Sequence, residues 1–517
     1  MMNKKIYPIG IQNFEYLRKG GYFYVDKTAL IYQLATTGKY YFLSRPRRFG
    51  KSLLISTIEA YFQGKKELFK GLTMETLEQK WIEYPILHLD LNAEKYDTPE
   101  RLDAILNDAL CTWEKQYGKV SSETTHSLRF KGIIQRAAEK TGRGVVILID
   151  EYDKPLLQAI GNETLQNDLR NTLKAFYGVL KSSDRYIRFA LLTGVTKFSK
   201  ISVFSDLNNL EDLSLQSNYQ TLCGITHKEL LSLLSEEIKD LASKHNKTVK
   251  EIQTQLAEWY DGYHFSNKGE GIYNPFSILQ VMKQSEFGSY WFETGTPIFP
   301  IELLKKNKYP LTELTNTIVT ADALGGIDFM EENPIPILYQ SGYLTIKAYN
   351  TEFKTYTLGF PNREVEDGFT RCLLPYYTAI QKSESSAEIV HLIQEVRNGN
   401  IDSFMHRLQS FFANTPYELV RDLELHYQNV FFIIFKLLGF YTQAEYHTSQ
   451  GRIDLLVKTD KYIYIMEFKL DGTAEQALQQ INKKQYALPF ETDPRKVYKI
   501  GANFCAKTRN LEQWIVE

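Results

Sequence analysis

Asp454, Glu467 and Lys469 are the residues of this chain whose types and spacing best suit chemistry. They lie in GRIDLLVKTDKYIYIMEFKL, from Gly451 to Leu470, with Asp454 on one apolar run and Glu467-Phe468-Lys469 on the next. Glu467 and Lys469 alternate with apolar residues, so both point to one face of a strand. Two neighbouring strands then gather one Asp, one Glu and one Lys into a cluster. Two carboxylates can hold Mg²⁺, or Mn²⁺ in its place, and the metal activates water and offsets charge on a phosphate. A lysine beside them can hold or deprotonate the water, or stabilise the pentavalent phosphorus. Phosphodiester cleavage needs such a set. Charges also alternate on the wet faces of ordinary hairpins, so the flanking segments decide between the two readings.

Glu424 lies upstream, at the start of the apolar helical stretch HYQNVFFIIFKLLGF. Downstream, ALQQINKKQYA carries Gln480, Lys484 and Tyr486 at helical spacing. Helix, strand, strand, helix, with polar groups on each, resembles the PD-(D/E)XK nuclease superfamily. The resemblance implies that Glu424, Asp454, Glu467 and Lys469 form the site. Asp454 and Glu467 would hold the metal, Glu424 would complete the shell, and Lys469 would assist the water. Gln480 and Tyr486 match accessory positions on the following helix.

A second chemistry sits in the N-terminal third. KYYFLSRPRRFGKSLLISTIEAYF reads as strand, loop and amphipathic helix, and the loop ends in Gly50-Lys51-Ser52. Backbone N–H groups at such a loop and helix start cradle phosphates. Lys51 would reach the outer phosphates of ATP and Ser52 would ligate Mg²⁺. Arg45 stands where the pattern's first glycine is expected, and Pro46, Arg47, Arg48 and Phe49 fill the loop. VVILIDEYDKP is a buried-strand run ending in Asp150-Glu151. Asp150 would orient the Mg²⁺ shell and Glu151 would polarise the attacking water. YIRFALLTGVTKF is a further buried strand, placing Thr193 or Thr196 near the γ-phosphate. The plain alternative is an αβ domain with an acidic strand end and no nucleotide.

YFYVDKT, LSRPRRFGKS, ILIDEYDKP, LLTGVTKFSK, WYDGYHF, IYNPFSIL, LYQSGYLTIK and LGFPNREV occur in this order. Together they resemble a bacterial family of AAA-type ATPase-like proteins fused to a C-terminal PD-(D/E)XK nuclease-like domain. The resemblance spans almost the full length, and RPRRFGKS is that family's own form of the phosphate loop. The fold class expected is α/β and multidomain: a P-loop AAA-like ATPase core with a helical lid and a winged-helix-like unit, then a restriction-endonuclease-like α/β domain. The boundaries expected are 1–215 for the core, 216–311 for the lid, 312–382 for the winged-helix-like unit and 383–517 for the nuclease-like domain with its N-terminal helices.

Within the core, Asp26 and Lys27 read either as neighbours of the nucleotide or, for Asp26, as a helix cap. Asp90 ends the buried strand PILHLDLN, as a structural residue or as part of the strand-end crevice. ITHKELLSLLSEEIKDLASK carries a Thr cap with Glu three residues on. The winged-helix-like unit, a helix and a β-hairpin with Tyr349-Asn350 at the turn, can bind DNA or pack on the nucleotide core.

The 517 residues allow two to four domains with proper cores. A net charge of −1 excludes bulk electrostatic attraction to nucleic acid, so contact with DNA must come from a local basic groove. The four cysteines lack metal-ligand spacing and read as reduced thiols of a cytoplasmic protein. The longest apolar run, near Val430 to Tyr441, is too short to span a bilayer. The function expected is ATP binding and hydrolysis joined to Mg²⁺-dependent cleavage of nucleic acid, with DNA the first candidate and self-association possible. The alternative is a nucleotide-dependent switch whose C-terminal domain binds nucleic acid or a partner without cutting.

Overall fold

The computed structural model describes residues 5–197, 210–292, 298–324, 333–378, 380–413, 423–439, 443–449 and 452–517. The chain divides into two compact units. Met1–Trp291 and Asn316–Arg363 form one; Phe292–Thr315 and Glu364–Glu517 form the other.

The first unit is built on five parallel strands: β1 (Tyr40–Ser44), β2 (Ile86–Asp90), β3 (Val145–Asp150), β4 (Ile187–Gly194) and β5 (Glu211–Asp212), in the order β2-β3-β4-β1-β5. All pairings are parallel, so the carboxyl ends of the strands share one edge. β3 is buried at every residue and β4 at nearly all, which explains their unbroken apolar runs. Helices Pro99–Tyr117, His126–Thr141 and Glu163–Ser182 cover one face through a cluster that includes Leu106, Phe130, Ile147 and Phe176. Helix Lys51–Phe62 follows β1 directly after the loop 45–50.

Beyond this sheet, helices His227–Leu233, Ser235–Lys244, Val249–Tyr260 and Pro275–Gln284 pack around Leu230, Ile252 and Ile278. Thr226 and Glu229 form the expected capping box. The run forms two helices, broken at Leu234. The short strands β6 (Ile225–Thr226) and β7 (Ile272–Tyr273) pair antiparallel beside them. β8 (Thr317–Thr320), β9 (Thr345–Asn350) and β10 (Thr355–Gly359) make an antiparallel sheet ordered β8-β10-β9, with helix Ile335–Gln340 between β8 and the β9–β10 hairpin. This segment bonds to the end of the parallel-sheet region and to the helical segment: the Gln340 amide oxygen accepts from Lys197 N at 2.8 Å, and Thr345 Oγ1 accepts from His264 N at 2.7 Å.

The second unit carries a mixed sheet in chain order: β11 (Gln443–Ser449), β12 (Arg452–Lys458), β13 (Tyr462–Leu470), β14 (Lys496–Cys505) and β15 (Asn510–Val516). Only β13 and β14 run parallel. The crossover between them is helix Ala474–Lys483, closed by a capping box of Thr473 and Gln476. One face of β13 meets helix Leu423–Gly439, where Phe431 packs on Phe468 with ring centroids 4.8 Å apart. The other face carries Ile463 and Ile465, which pack against Ile481 of the crossover helix. No helix among the described residues is long and apolar enough to cross a membrane.

Candidate functional sites

The parallel sheet brings the N-terminal candidates to one edge. β4 lies between β1 and β3, so the phosphate-type loop and the acidic strand end are separated by one strand, whose end supplies Thr193. Gly50 has φ +94°, a conformation that L side chains rarely adopt, and a Cβ there would meet nothing within 4 Å. The space above the loop is therefore open at the helix start. Arg48 (φ +68°) and Glu151 (φ +53°) are left-handed non-glycine residues, each strained by about 1 kcal/mol. Such strain collects where a loop is shaped for binding.

Lys51 is buried. Its Nζ donates to Arg45 O at 3.1 Å and Pro46 O at 3.5 Å, and lies 3.2 Å from Glu151 Oε1. Asp150 Oδ1 accepts from Thr193 Oγ1 at 2.5 Å and from Glu151 N at 3.1 Å. Thr196 turns instead to Asp153, donating from N at 2.6 Å and from Oγ1 at 2.7 Å. Ser52 is half-buried in the first turn of the helix. A lysine, a strand-end acid oriented by a threonine and a helix-start hydroxyl form a donor set that fits a magnesium-bound triphosphate.

Asp153 went unrecognised in the sequence although it lies inside the DEYDKP run. It is fully buried, and burial, helped by the Glu151 charge, pushes its carboxyl up to about 7 against the hydrogen bonds from Thr196. The loop arginines need one correction. Arg47 and Arg48 are exposed, but Arg45 is a core residue. Its guanidinium donates to Ser44 O, Ser214 O and Tyr219 O and stacks 4.1 Å above Phe265. It braces the loop from behind instead of facing its mouth. Pro46 and Phe49 are buried too, and Phe49 meets Tyr263 and Phe265 edge-on.

An apolar cavity of about 610 Å³ opens beside Gly50. Val25, Ile31, Phe49, Leu222, Cys223 and Pro275 are among its walls. These residues are scattered in sequence, and no motif announces them. Lys27, not Asp26, is the N-cap of helix Thr28–Thr37; Asp26, one residue earlier, accepts from Thr28 N and Oγ1 and ties in Thr73, while Lys27 pairs with Glu229 at 2.6 Å. Asp90 closes a local turn by accepting from Asn92 N.

In the second unit, Asp454 and Glu467 stand directly opposite each other on β12 and β13. Directly opposed residues share a face of the sheet, with Cβ atoms about 5 Å apart. Glu467 is completely buried, and Lys469 Nζ donates to its Oε1 at 3.1 Å. The same ammonium donates to Gln480 Oε1 at 2.6 Å, so the crossover helix fixes it from above. Gly501 stands opposite Glu467 in β14. A Cβ there would lie 2.3 Å from Ala474 O and 2.5 Å from Leu478 N, so only glycine lets that helix descend to the level of Glu467. Tyr486 is half-buried against the Ile463–Ile481 cluster. Glu424 is the second residue of helix Leu423–Gly439, and the side chains of Glu424 and Asp454 lie outside the described residues. Among the described side chains no three His, Cys, Asp or Glu converge at metal-binding distance. A buried carboxylate with a second carboxyl-bearing residue opposite it suits a hard divalent cation.

A family description reading "Predicted AAA-ATPase" matches residues 8–204, and the PD-(D/E)XK nuclease superfamily matches residues 422–514. The chain is also 33% identical over 526 residues to a protein of Azotobacter chroococcum mcd 1 described as an uncharacterized protein in the vnfD 5' region; the match covers 100% of this chain and 99% of that one. The chain belongs to the AAA-ATPase-like family with a C-terminal PD-(D/E)XK nuclease domain. In this family member the two matched regions contain the two clusters just described: Lys51, Asp150, Glu151 and Thr193 in the first, Glu467, Lys469 and Gln480 in the second.

Proposed function

We propose that the protein binds and hydrolyses ATP in its N-terminal unit and cuts nucleic acid, DNA in the first instance, in its C-terminal unit. The observation that carries the nuclease half is Lys469 held between Glu467 and Gln480, with Asp454 in register across the strand pair. Asp454 and Glu467 would hold Mg²⁺ or Mn²⁺, and Glu424 would add to the shell. When bound, the ion supplies Lewis acidity and a water of lowered pKa. Lys469 orients that water and meets the negative charge that develops on the phosphate. Gln480 accepts from the ammonium and so fixes its direction. Water oxygen bonds to phosphorus as the P–O bond to the leaving sugar oxygen breaks.

At the first site the triphosphate would take Lys51 away from the carbonyls of Arg45 and Pro46. Glu151, freed from its ion pair with Lys51, would polarise the attacking water. Asp150, whose carboxylate accepts from Thr193, and Ser52 would be the residues that hold magnesium. The apolar cavity beside Gly50 suits the base of ATP. The chain crosses between the units after Trp291, whose indole donates to Arg47 O in the phosphate loop at 3.1 Å.

The test is cleavage of linear, circular and single-stranded DNA and of RNA, with Mg²⁺ or Mn²⁺, with and without ATP. Asp454→Ala is the control. Cutting that vanishes in the variant upholds the proposal; cutting that survives in it refutes the site. Well-folded protein that cuts nothing under any condition shifts the reading to a nucleotide-dependent binding switch.

A further inference from the structure

The C-terminal unit holds a second cavity, of about 440 Å³, that shares no lining residue with the Glu467 centre. The ends of helices Ile298–Lys306 and Arg363–Tyr377 and the first turn of helix Leu423–Gly439 border it. Its polar lining is Lys305, Lys308, Tyr376, Tyr377, His426 and Asn429, with the Tyr376 hydroxyl accepting from Lys382 and still able to donate. No carboxylate is among its described lining residues. Asn429 is already engaged, accepting from Leu311 N at 2.8 Å and donating to Tyr309 O at 3.2 Å. It thereby fixes the turn that carries Lys308.

Two of the donors are buried without a partner. His426 is 8% exposed and its Nε2 makes no hydrogen bond; Tyr377 is 7% exposed and neither does its hydroxyl. A buried polar group left unbonded is destabilising, so native proteins keep such groups where something else satisfies them. Lys305 and Lys308 make no ion pair among the described residues. Burial holds Lys305 below its ordinary value despite Glu302 one turn away. The cavity is short of negative charge.

Lys308 adds an independent sign. It follows helix Ile298–Lys306 with φ +48°, in the left-handed position that glycine or asparagine normally fills. A lysine there strains the backbone and sets an ammonium at the cavity wall. His426 sits in the first turn of a 17-residue helix, whose positive end favours an anion.

We infer that this cavity is a phosphate site, in which two ammonium groups, a phenol and an imidazole receive one oxyanion, namely a backbone phosphate of nucleic acid bound outside the cutting centre. The nucleic-acid source rests on the nuclease reading; the anion site does not.

The test uses the full chain in EDTA, where no metal-dependent cutting occurs. Binding of a fluorescein-labelled single-stranded DNA oligonucleotide is followed by anisotropy across a salt series. Thermal unfolding is followed with inorganic phosphate against chloride at equal ionic strength, and repeated on the Lys51→Met background so that the phosphate loop does not contribute. Lys308→Gly removes the ammonium and relieves the backbone; Tyr377→Phe removes a hydroxyl that has no partner. Neither has a reason to unfold the protein.

Each should weaken the oligonucleotide about tenfold, and Lys308→Gly should lower the salt slope by about one. The exposed Lys306→Ala should change neither. If both variants lose stabilisation by phosphate yet keep full oligonucleotide affinity, the site takes a free phosphate group and the nucleic-acid source is refuted. If phosphate stabilises wild type and variants alike, or none of them, and oligonucleotide affinity is unchanged, the proposal is overturned. Cutting that survives in Asp454→Ala would refute the nuclease centre without altering these binding results.

Discussion

Replacing Lys51 by Met separates what this residue does for the fold from what it would do for ATP. The methylenes remain, so no cavity opens in the buried site. The variant loses the ammonium that donates to Arg45 O and Pro46 O and pairs with Glu151 at 3.2 Å. Glu151 is left partly solvated and without its cation, which costs about 1–3 kcal/mol; recovering the desolvation of a buried ammonium offsets part of this. The Lys51 charge also holds the Asp153 carboxyl down, so that group rises further in the variant. The unliganded variant should therefore be less stable by about 2 kcal/mol or less.

ATP at a hundred times its Kd stabilises the wild type by about 2.7 kcal/mol. Two charge-assisted contacts from Lys51 to phosphate are worth about 3 kcal/mol, or roughly 150-fold in Kd. At the same ATP concentration the variant would then gain only about 0.3 kcal/mol. The assay is thermal unfolding with and without Mg²⁺–ATP. Each kcal/mol moves the midpoint of a domain this large by about 2 °C. The wild type should rise by about 5 °C and the variant by less than 1 °C. A variant that keeps the wild-type rise would refute the phosphate-loop assignment.

Lys469→Ala should abolish cutting while ATP turnover continues at the wild-type rate, since Lys469 and Lys51 belong to different units; cutting assays and phosphate release on one preparation check this. Gly50→Ala should fold with a loss of about 1 kcal/mol, because the space is open but the left-handed backbone is strained, and equilibrium titration should show weaker ATP binding. Gly501→Ala should lift the crossover helix off β14, destabilising the unit by about 1–3 kcal/mol in urea unfolding and lowering cutting with it. For Asp153, a folded value near 7 lies above the unfolded value of 3.8. The native state then holds the extra proton, so stability falls as pH rises from about 4 to about 7, by up to about 1.4 kcal/mol per pH unit. Asp153→Asn should remove that fall, and unfolding curves of the same slope against pH in both proteins would sink the assignment.

Much of this protein could be read from local pattern. Period-two alternation in β13 set Glu467 and Lys469 on one face, unbroken apolar runs marked β3 and β4 as buried strands, and Thr226 with Glu229 announced a helix start. These are properties of a short segment and its nearest neighbours along the chain. Tertiary structure alone decided matters that depend on distant residues. Arg45 is a core strut because Ser214, Tyr219 and Phe265 close around it, which no feature of RPRRFGKS discloses. Gly501 matters only because a helix entering more than twenty residues earlier crosses its strand at that point. The donor-lined cavity joins residues from three helices that together span more than a hundred positions of the sequence. Burial, the value of the Asp153 carboxyl and the unpartnered state of His426 all follow from which surfaces meet in three dimensions. A one-dimensional pattern specifies which face of an element is apolar; it leaves open which other face will cover it.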